Sequence, residues 1–330
     1  MGKHSIGDLE QMQSLPLKYK IVMTEQRIRT WYEHFNGDVY VSFSGGKDST
    51  VLVDIITKMG YTDIPLVFCD TGLEYPEIRE FVKGYGDRVV WLKPKMNFKQ
   101  VIEKYGYPFI SKQIAHKIAC VKKNPESRFA RFFTDETKGS TYNCSKWAFM
   151  LDAPFTTTRK CCDIMKHNPA ANYHKKTGRV PMTAEMASES KARKDTWLEY
   201  GCNAFDLEIP KSTPMAFWSE QDVLWYLKEN NIKIPSVYGD IVEVETDGQM
   251  TLDCIEQRPV LKTTGLDRTG CMFCGFGIHI EKTETGRFEK MKQTHPKQYE
   301  WIMRPRSGGG LGYKEVIDYL NEHGNLNIRY

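Results

Sequence analysis

Two groups of residues in this 330-residue chain have the types and spacing to do chemistry. The first is Ser-Phe-Ser-Gly-Gly-Lys-Asp-Ser-Thr at 42–50, set between the β-rich run Asp-Val-Tyr-Val-Ser-Phe and a helical pattern that runs from Val51 to Gly60. Gly45 and Gly46 let a backbone come close to a phosphate and take up positive φ. A helix beginning near Asp48 aims its free amides and the positive end of its dipole at the same anion. Lys47 adds a mobile positive charge, and Ser42, Ser44, Ser49 and Thr50 add hydroxyls. A plain Gly-Gly turn is the alternative, but the order strand, loop, helix favours phosphate binding. The spacing is not that of a Walker A loop.

The second group is built on sulfur. Cys161 and Cys162 are adjacent within Thr-Thr-Thr-Arg-Lys-Cys-Cys-Asp-Ile-Met-Lys-His-Asn-Pro, and Cys271 and Cys274 form a Cys-x-x-Cys about 110 residues downstream. Neighbouring cysteines bridge each other poorly. A Cys-x-x-Cys serves redox chemistry in one context and zinc in another. Zinc ribbons ordinarily use two such knuckles, whereas this chain has one knuckle and one adjacent pair. Lys160, Lys166 and His167 are candidate charges beside that site, or simply a solvated face. Cys69, Cys120, Cys144, Cys202 and Cys254 read as ordinary buried residues, with Cys120 or Cys144 the alternative carriers of a transient persulfide. Nine cysteines without a secretory signal argue against a disulfide framework and for a reducing cytoplasm. No run approaches the ~20 apolar residues of a membrane span, so no membrane partner is expected.

The elements that must position these groups follow from periodicity. Helical spacing covers 17–36, and short β-rich runs at 38–43, 65–70 and 88–94 alternate with helices, which indicates βαβ units around a parallel sheet. Residues 179–186 read as a further strand and its loop. Ser219 and Asp222 mark a capped helix start, 239–270 reads as short β-like pieces, Arg306–Tyr313 as a flexible glycine run, and a last helix lies near 313–322. The second half looks like an elaboration of one α/β core. The expected organisation is an N-terminal helical segment at 1–37, a nucleotide-binding α/β domain at 38–238, and a C-terminal elaboration at 239–330 that supplies the Cys-x-x-Cys.

Ser44–Ser49 resembles, residue for residue, the PP-loop of the ATP pyrophosphatases and sulfonucleotide reductases. Cys-Asp-Thr-Gly-Leu-Glu-Tyr-Pro-Glu-Ile at 69–78 resembles a segment of the phosphoadenosine phosphosulfate reductase family that flanks adenine. That resemblance implies nucleotide contacts at Asp70, Thr71 and Gly72. Met-Thr-Ala-Glu-Met-Ala-Ser-Glu-Ser-Lys-Ala-Arg at 182–193 is similar to the family's Gly-x-Arg-x-x-Glu-Ser-x-x-Arg: Glu189, Ser190 and Arg193 match, while Ala184 and Met186 depart. Residues 214–238 resemble the family's Trp-containing helix and its following Pro-x-x-Tyr, and most of that helix reads as structural. The matched segments span roughly 38 to 280. They imply an adenine-nucleotide alpha-hydrolase-like, Rossmann-like fold, with Lys47 and Asp48 at the catalytic centre.

The resemblance also implies a ligand set: adjacent cysteines with a distant Cys-x-x-Cys match the four ligands of the [4Fe-4S] cluster in assimilatory adenosine phosphosulfate reductases. Zinc and unligated thiols remain the alternatives. The reductases carry their nucleophilic cysteine on a C-terminal tail, whereas the last cysteine here is Cys274. The leading expectation is therefore an iron–sulfur ATP pyrophosphatase like those of DNA phosphorothioation. It would use ATP and Mg2+ to adenylate an oxygen of DNA or tRNA, with a cysteine desulfurase as sulfur donor and a homodimer as a possible assembly. Sulfonucleotide reduction and a non-catalytic nucleotide-binding regulator are the alternatives. The basic stretches at 112–131 and 166–179 fit contacts to a phosphate backbone.

Overall fold

Short, continuously apolar strands bury both faces and so belong in the middle of a parallel sheet. Val39, Tyr40 and Val41 form such a strand, Val39–Ser42, and all three are buried. The structure is a computed structural model that describes residues 3–244, 258–281 and 286–330. Its central sheet has the order Val89–Leu92, Leu66–Cys69, Val39–Ser42, Val180–Met182, Lys211–Ser212, Asn203–Ala204, and every pairing is parallel except the last. The sheet lies between helices, giving the expected α/β architecture. The chain leaves Val39–Ser42 for Leu66–Cys69 on one side, while Val180–Met182 pairs on the other. The carboxyl ends of Val39–Ser42 and Val180–Met182 therefore flank the switch point, where open α/β sheets bind ligands.

The chain divides into two units that interleave in sequence. Unit 1 comprises Met1–Asp70, Glu74–Lys93 and Pro169–Gly270, and it holds the six-stranded sheet. Its core gathers Trp31, Val41, Phe43, Leu52, Ile55, Phe68, Phe217 and Trp218. Helix Lys47–Lys58 is buried on most of its circumference, as a helix packed inside the fold must be. Helix Leu17–His34 follows the predicted period, and Ile28 and Trp31 are fully buried. Ile241–Val244 and Val260–Thr263 pair as an antiparallel ladder; Cys254 falls outside the described residues.

Unit 2 comprises Thr71–Leu73, Pro94–Asn168 and Cys271–Tyr330. Helix Lys112–Lys123 is followed by short 3-10 turns, and Gly275–Phe276 pairs in parallel with Phe109–Ile110. The glycine run near 308–312, expected to be flexible, is instead tightly engaged. Gly312 N–H donates to the Arg304 carbonyl at 2.8 Å, and the Tyr107 hydroxyl donates to the Leu311 carbonyl at 2.7 Å. A Cβ on Gly310 would sit 2.2 Å from the Arg304 carbonyl oxygen, so the missing side chain serves close approach rather than mobility. Among the described residues no helix is long and apolar enough to cross a membrane.

One polar junction fastens the helix that follows the switch-point strands in unit 1. Helix Glu220–Glu229 starts at a capping box in which the Asp222 carboxylate accepts from both the amide and the hydroxyl of Ser219, each at 2.7 Å. The same carboxylate takes an ion pair from Lys20 at 2.7 Å, and Lys20 is only 3% exposed. Asp222→Ala strips the cap and leaves a buried ammonium without its counter-charge. The expected loss is about 3–5 kcal/mol, read as a lowered urea midpoint at unchanged slope.

Candidate functional site

The Ser44–Ser49 loop, expected from the sequence to bind phosphate, occupies the switch point of unit 1. Gly45 has φ +69°, and a Cβ there would meet Val82 at 2.6 Å and Ile78 at 2.9 Å. That position therefore requires glycine both for its backbone and for its contact with the helix below. Ser44 and Ser49 hydroxyls lie 3.0 Å apart, the Gly46 amide donates to Ser44 Oγ at 3.3 Å, and Ser49 and Thr50 hydroxyls both return to the Gly46 carbonyl at 3.0 Å. Ser42 ends its strand exposed. These bonds tie the loop to the first turn of helix Lys47–Lys58.

Lys47 is 3% exposed, and its Nζ donates to Glu220 Oε1 at 2.6 Å and to the Asp267 carbonyl. Its own amide donates to the Tyr238 hydroxyl at 3.3 Å; that hydroxyl lies 2.5 Å from Thr269 Oγ1. Burial pushes the Tyr238 phenol up to about 12, so it stays protonated. A phosphate settling on the loop would thus compete for Lys47 with a carboxylate and a carbonyl.

Asp48, next in the loop, has its Oδ1 fully buried without a hydrogen bond. Burial pushes its carboxyl up to about 6; the Glu189 and Glu220 charges push the same way, and Lys47 and Arg268 oppose them. Glu189 is held in turn. Its Oε2 accepts from the Met186 amide at 2.9 Å, and the carboxylate pairs with Arg193 and, at 3.9 Å, with Arg268. The structure thus brings Lys47, Asp48, Glu189 and Arg193 into one charged group. Met186, standing where the sequence comparison expected arginine, is 2% exposed and offers no charge.

Residues 69–78, the second segment expected to contact nucleotide, are differently engaged. Asp70 accepts from Arg79 at 2.8 Å, and its amide closes the sheet on the Leu92 carbonyl. Thr71, in unit 2, accepts from the Leu73 amide at 3.1 Å through its hydroxyl. Gly72 has φ +74° with open space where a Cβ would be. The Leu73 carbonyl accepts from Met272 at 2.7 Å, which fixes this stretch to the Cys-x-x-Cys knuckle.

All four predicted sulfur ligands lie in unit 2. Cys161 and Cys162 sit on the turn Lys160–Cys162, which runs into the π-helical stretch Asp163–His167, a local irregularity common at functional sites. The Cys274 amide closes the knuckle on the Cys271 carbonyl at 3.0 Å, and Arg287 donates to the Cys274 carbonyl at 2.8 Å. A Cβ on Gly275 would meet the Phe109 ring at 2.9 Å, so glycine lets the knuckle press onto that strand.

The thiols share one electrostatic environment. A hydrogen bond from Cys161 to Cys162 raises the proton affinity of the first and lowers that of the second; Cys271 and Cys274 add to the rise at Cys161. Cys162 is drawn down to about 6, helped by Lys112, His167 and Lys166. The two titrate as a pair, with the thiolate on Cys162. Tyr313, fully buried, donates to the Phe273 carbonyl at 2.6 Å and feels Cys161, Cys271 and Cys274. Lys160 Nζ lies 4.7 Å from the centroid of the Tyr105 ring. Among the described residues no three His, Cys, Asp or Glu side chains are spaced to hold a metal ion in this arrangement. The donor chemistry nonetheless fits a cationic centre, because the thiols oppose one another's ionisation and a metal would relieve that opposition.

Residues 38–275 match the phosphoadenosine phosphosulfate reductase domain. The chain belongs to that family. Among curated proteins it is 23% identical over 202 residues to the adenosine 5'-phosphosulfate reductase of Staphylococcus epidermidis, covering 61% of this chain and 65% of that one. It is also 38% identical over 85 residues to an uncharacterised protein of Methanocaldococcus jannaschii, covering 24% of this chain and 18% of that one. The chain thus spans less than two thirds of each of these relatives. A crystal structure of the phosphoadenylyl-sulfate reductase of Candida auris, in complex with phosphate, aligns with a TM-score of 0.38 and 17% identity over 70% of this chain and 90% of that one, too slight a likeness to bear on chemistry.

Sequence reasoning missed Glu220, Tyr238, Asp267 and Thr269. Tyr238 was marked by its Pro-x-x-Tyr context, whereas nothing local distinguishes Glu220 from a solvated helix residue. The Asp48 geometry predicts a pH signature. With a folded value of about 6 against 3.8 for the free side chain, its stabilising contribution is complete below pH 4 and is lost as pH rises through about 6. Asp48→Asn should match the parent in denaturation midpoint at pH 4 and exceed it at pH 8; equal midpoints at both would show an unburied carboxylate.

Proposed function

We propose that the chain is a PP-loop ATP pyrophosphatase that adenylates an oxygen of a nucleic acid and so prepares it for sulfur. The observation that carries this reading is the loop itself. A glycine at φ +69°, a ring of hydroxyls and the Lys47 ammonium meet at the start of a helix beyond a switch-point strand. In this reading the acceptor oxygen attacks the α-phosphorus of ATP, the bond from that phosphorus to its β-bridging oxygen breaks, and pyrophosphate leaves with the electron pair. Lys47 and the loop hydroxyls bind the departing β- and γ-phosphates. Asp48, whose Oδ1 is buried and unpaired, would hold Mg2+, which offsets charge on the triphosphate.

Cys161, Cys162, Cys271 and Cys274 would hold a [4Fe-4S] cluster, with zinc as the alternative metal. Such a cluster supplies electron transfer when bound. A cysteine desulfurase is the proposed sulfur source, and the reducing cytoplasm the proposed setting. Sulfonucleotide reduction is the second reading, favoured by the likeness to an adenosine 5'-phosphosulfate reductase. One observation supports the first reading over it: Met186 is buried and apolar where an anionic sulfonucleotide would want arginine.

Pyrophosphate release from ATP, measured with and without DNA or tRNA, tests the proposal. Stimulation by nucleic acid is expected, and Lys47→Ala should lower the rate by on the order of a hundredfold or more. Sulfite formed from a sulfonucleotide and thioredoxin, with no pyrophosphate from ATP, would overturn it. Anaerobically prepared protein is expected to absorb near ~400 nm, and Cys271→Ser should abolish that band. Bound zinc with no such band would favour the other metal.

A further inference from the structure

The first basic stretch carries a surface that the reaction does not use. Residues 111–168, all in unit 2, hold eleven Lys and Arg against five Asp and Glu, a net charge of +6, while the whole chain carries only +4. The positive charge of this protein is therefore concentrated here, and the remainder is slightly acidic. Part of it is spent on the fold: Lys122 donates to the Ala153 carbonyl and, at 2.8 Å, to the Phe155 carbonyl. Arg128, Arg131, Lys138 and Lys146 remain exposed. The second stretch differs, because Arg179 donates to the carbonyls of Gly37 and Val39.

Aromatic rings run through the same surface. His116 meets Phe129 at 5.5 Å between centroids, Phe129 meets Phe132 at 6.3 Å, and Phe132 meets Tyr142 at 6.1 Å with the planes tilted 38°. Cations cover them: Lys117 stands 4.5 Å from the Phe132 centroid, Arg131 5.2 Å from the same ring, and Arg128 5.0 Å from Phe129. The row ends at Tyr142, which is 65% exposed. Short bonds hold the row in place. The Cys144 amide donates to the Phe132 carbonyl at 2.6 Å, Lys117 to the Tyr142 carbonyl at 3.1 Å, and Asn143 to Thr137 at 3.0 Å. Rings interleaved with guanidinium and ammonium groups suit unstacked bases on a phosphodiester strand, since every base offers a π-face and every linkage a negative charge.

We propose that this face, from Lys117 through Lys146, binds a single-stranded segment of nucleic acid, with a base on Tyr142 and phosphates on Arg128, Arg131 and Lys146. The inference rests on the reading that the acceptor is a nucleic acid, and it names the form of that acceptor: unpaired rather than duplex. No recognition helix is needed, because single strands are read by stacking and charge rather than from a groove.

Fluorescence anisotropy of the full chain tests it, with labelled oligo-dT, oligo-U and a DNA duplex, each on the order of 16 nucleotides long. At least one single strand should bind ten times more tightly than the duplex. Tyr142→Ala should weaken that binding about tenfold while Tyr142→Trp retains it, and Arg131→Ala should reduce the salt slope by about one. The dT and U arms tell whether the strand is DNA or RNA. Equal binding of duplex and single strand, indifference to Tyr142→Ala, or binding only to vesicles of anionic phospholipid would overturn the proposal. Binding is read without ATP, so a chain that holds the single strand yet releases no pyrophosphate would sink the adenylation reading and leave this one standing.

Discussion

A buried ammonium at the head of a helix is the constraint around which unit 1 is organised. Lys47 sits where the helix dipole is already positive and where water scarcely reaches. An uncompensated charge there would cost several kcal/mol. The fold supplies Glu220 from one helix and the Asp267 carbonyl from the turn before Gly270. Tyr238 and Thr269 close the same side by engaging the Lys47 amide and each other. The contacts to the Lys47 ammonium and amide occupy the groups that a phosphate would use under the proposed function. On that reading the loop is a balanced site, in which a polyphosphate would replace the groups that stabilise Lys47 without it.

The sulfur group of unit 2 obeys the same electrostatics with the sign reversed. Four thiols in one environment resist joint ionisation, and the surrounding Lys112, Lys166, His167 and Arg287 offset only part of that resistance. The thiolate settles on Cys162, which feels the Lys112, His167 and Lys166 charges. In both units charge is concentrated beside a few opposite charges. Backbone economy supports both: Gly45 lets the phosphate loop press on Val82 and Ile78, and Gly275 lets the knuckle press on Phe109.

Much of this was legible in the amino-acid sequence. The strands at 39–42, 66–69 and 89–92 fall inside their apolar runs, and Ser219 with Asp222 marks a helix start because a capping box is a local device. The strand, loop and helix around Ser44–Ser49 could be read because they are contiguous. What escaped was non-local. Glu220 reaches Lys47 across 173 positions and Asp267 across 220, and no local pattern announces either. The glycine run near 308–312 misled for a related reason: composition suggests freedom, whereas Gly310 is there because the Arg304 carbonyl comes too close for a side chain. The interleaving of the two units is likewise a property of packing, not of sequence order.

The claim that Lys47 is shared between Glu220 and a polyphosphate can be tested without turnover, by titrating inorganic pyrophosphate calorimetrically into the parent chain and into Glu220→Gln. Removing the competing carboxylate frees the ammonium and takes a negative charge from the loop. The account predicts a lower Kd for pyrophosphate in Glu220→Gln than in the parent, with the gain shrinking as salt is raised. An unchanged or weaker affinity would contradict it.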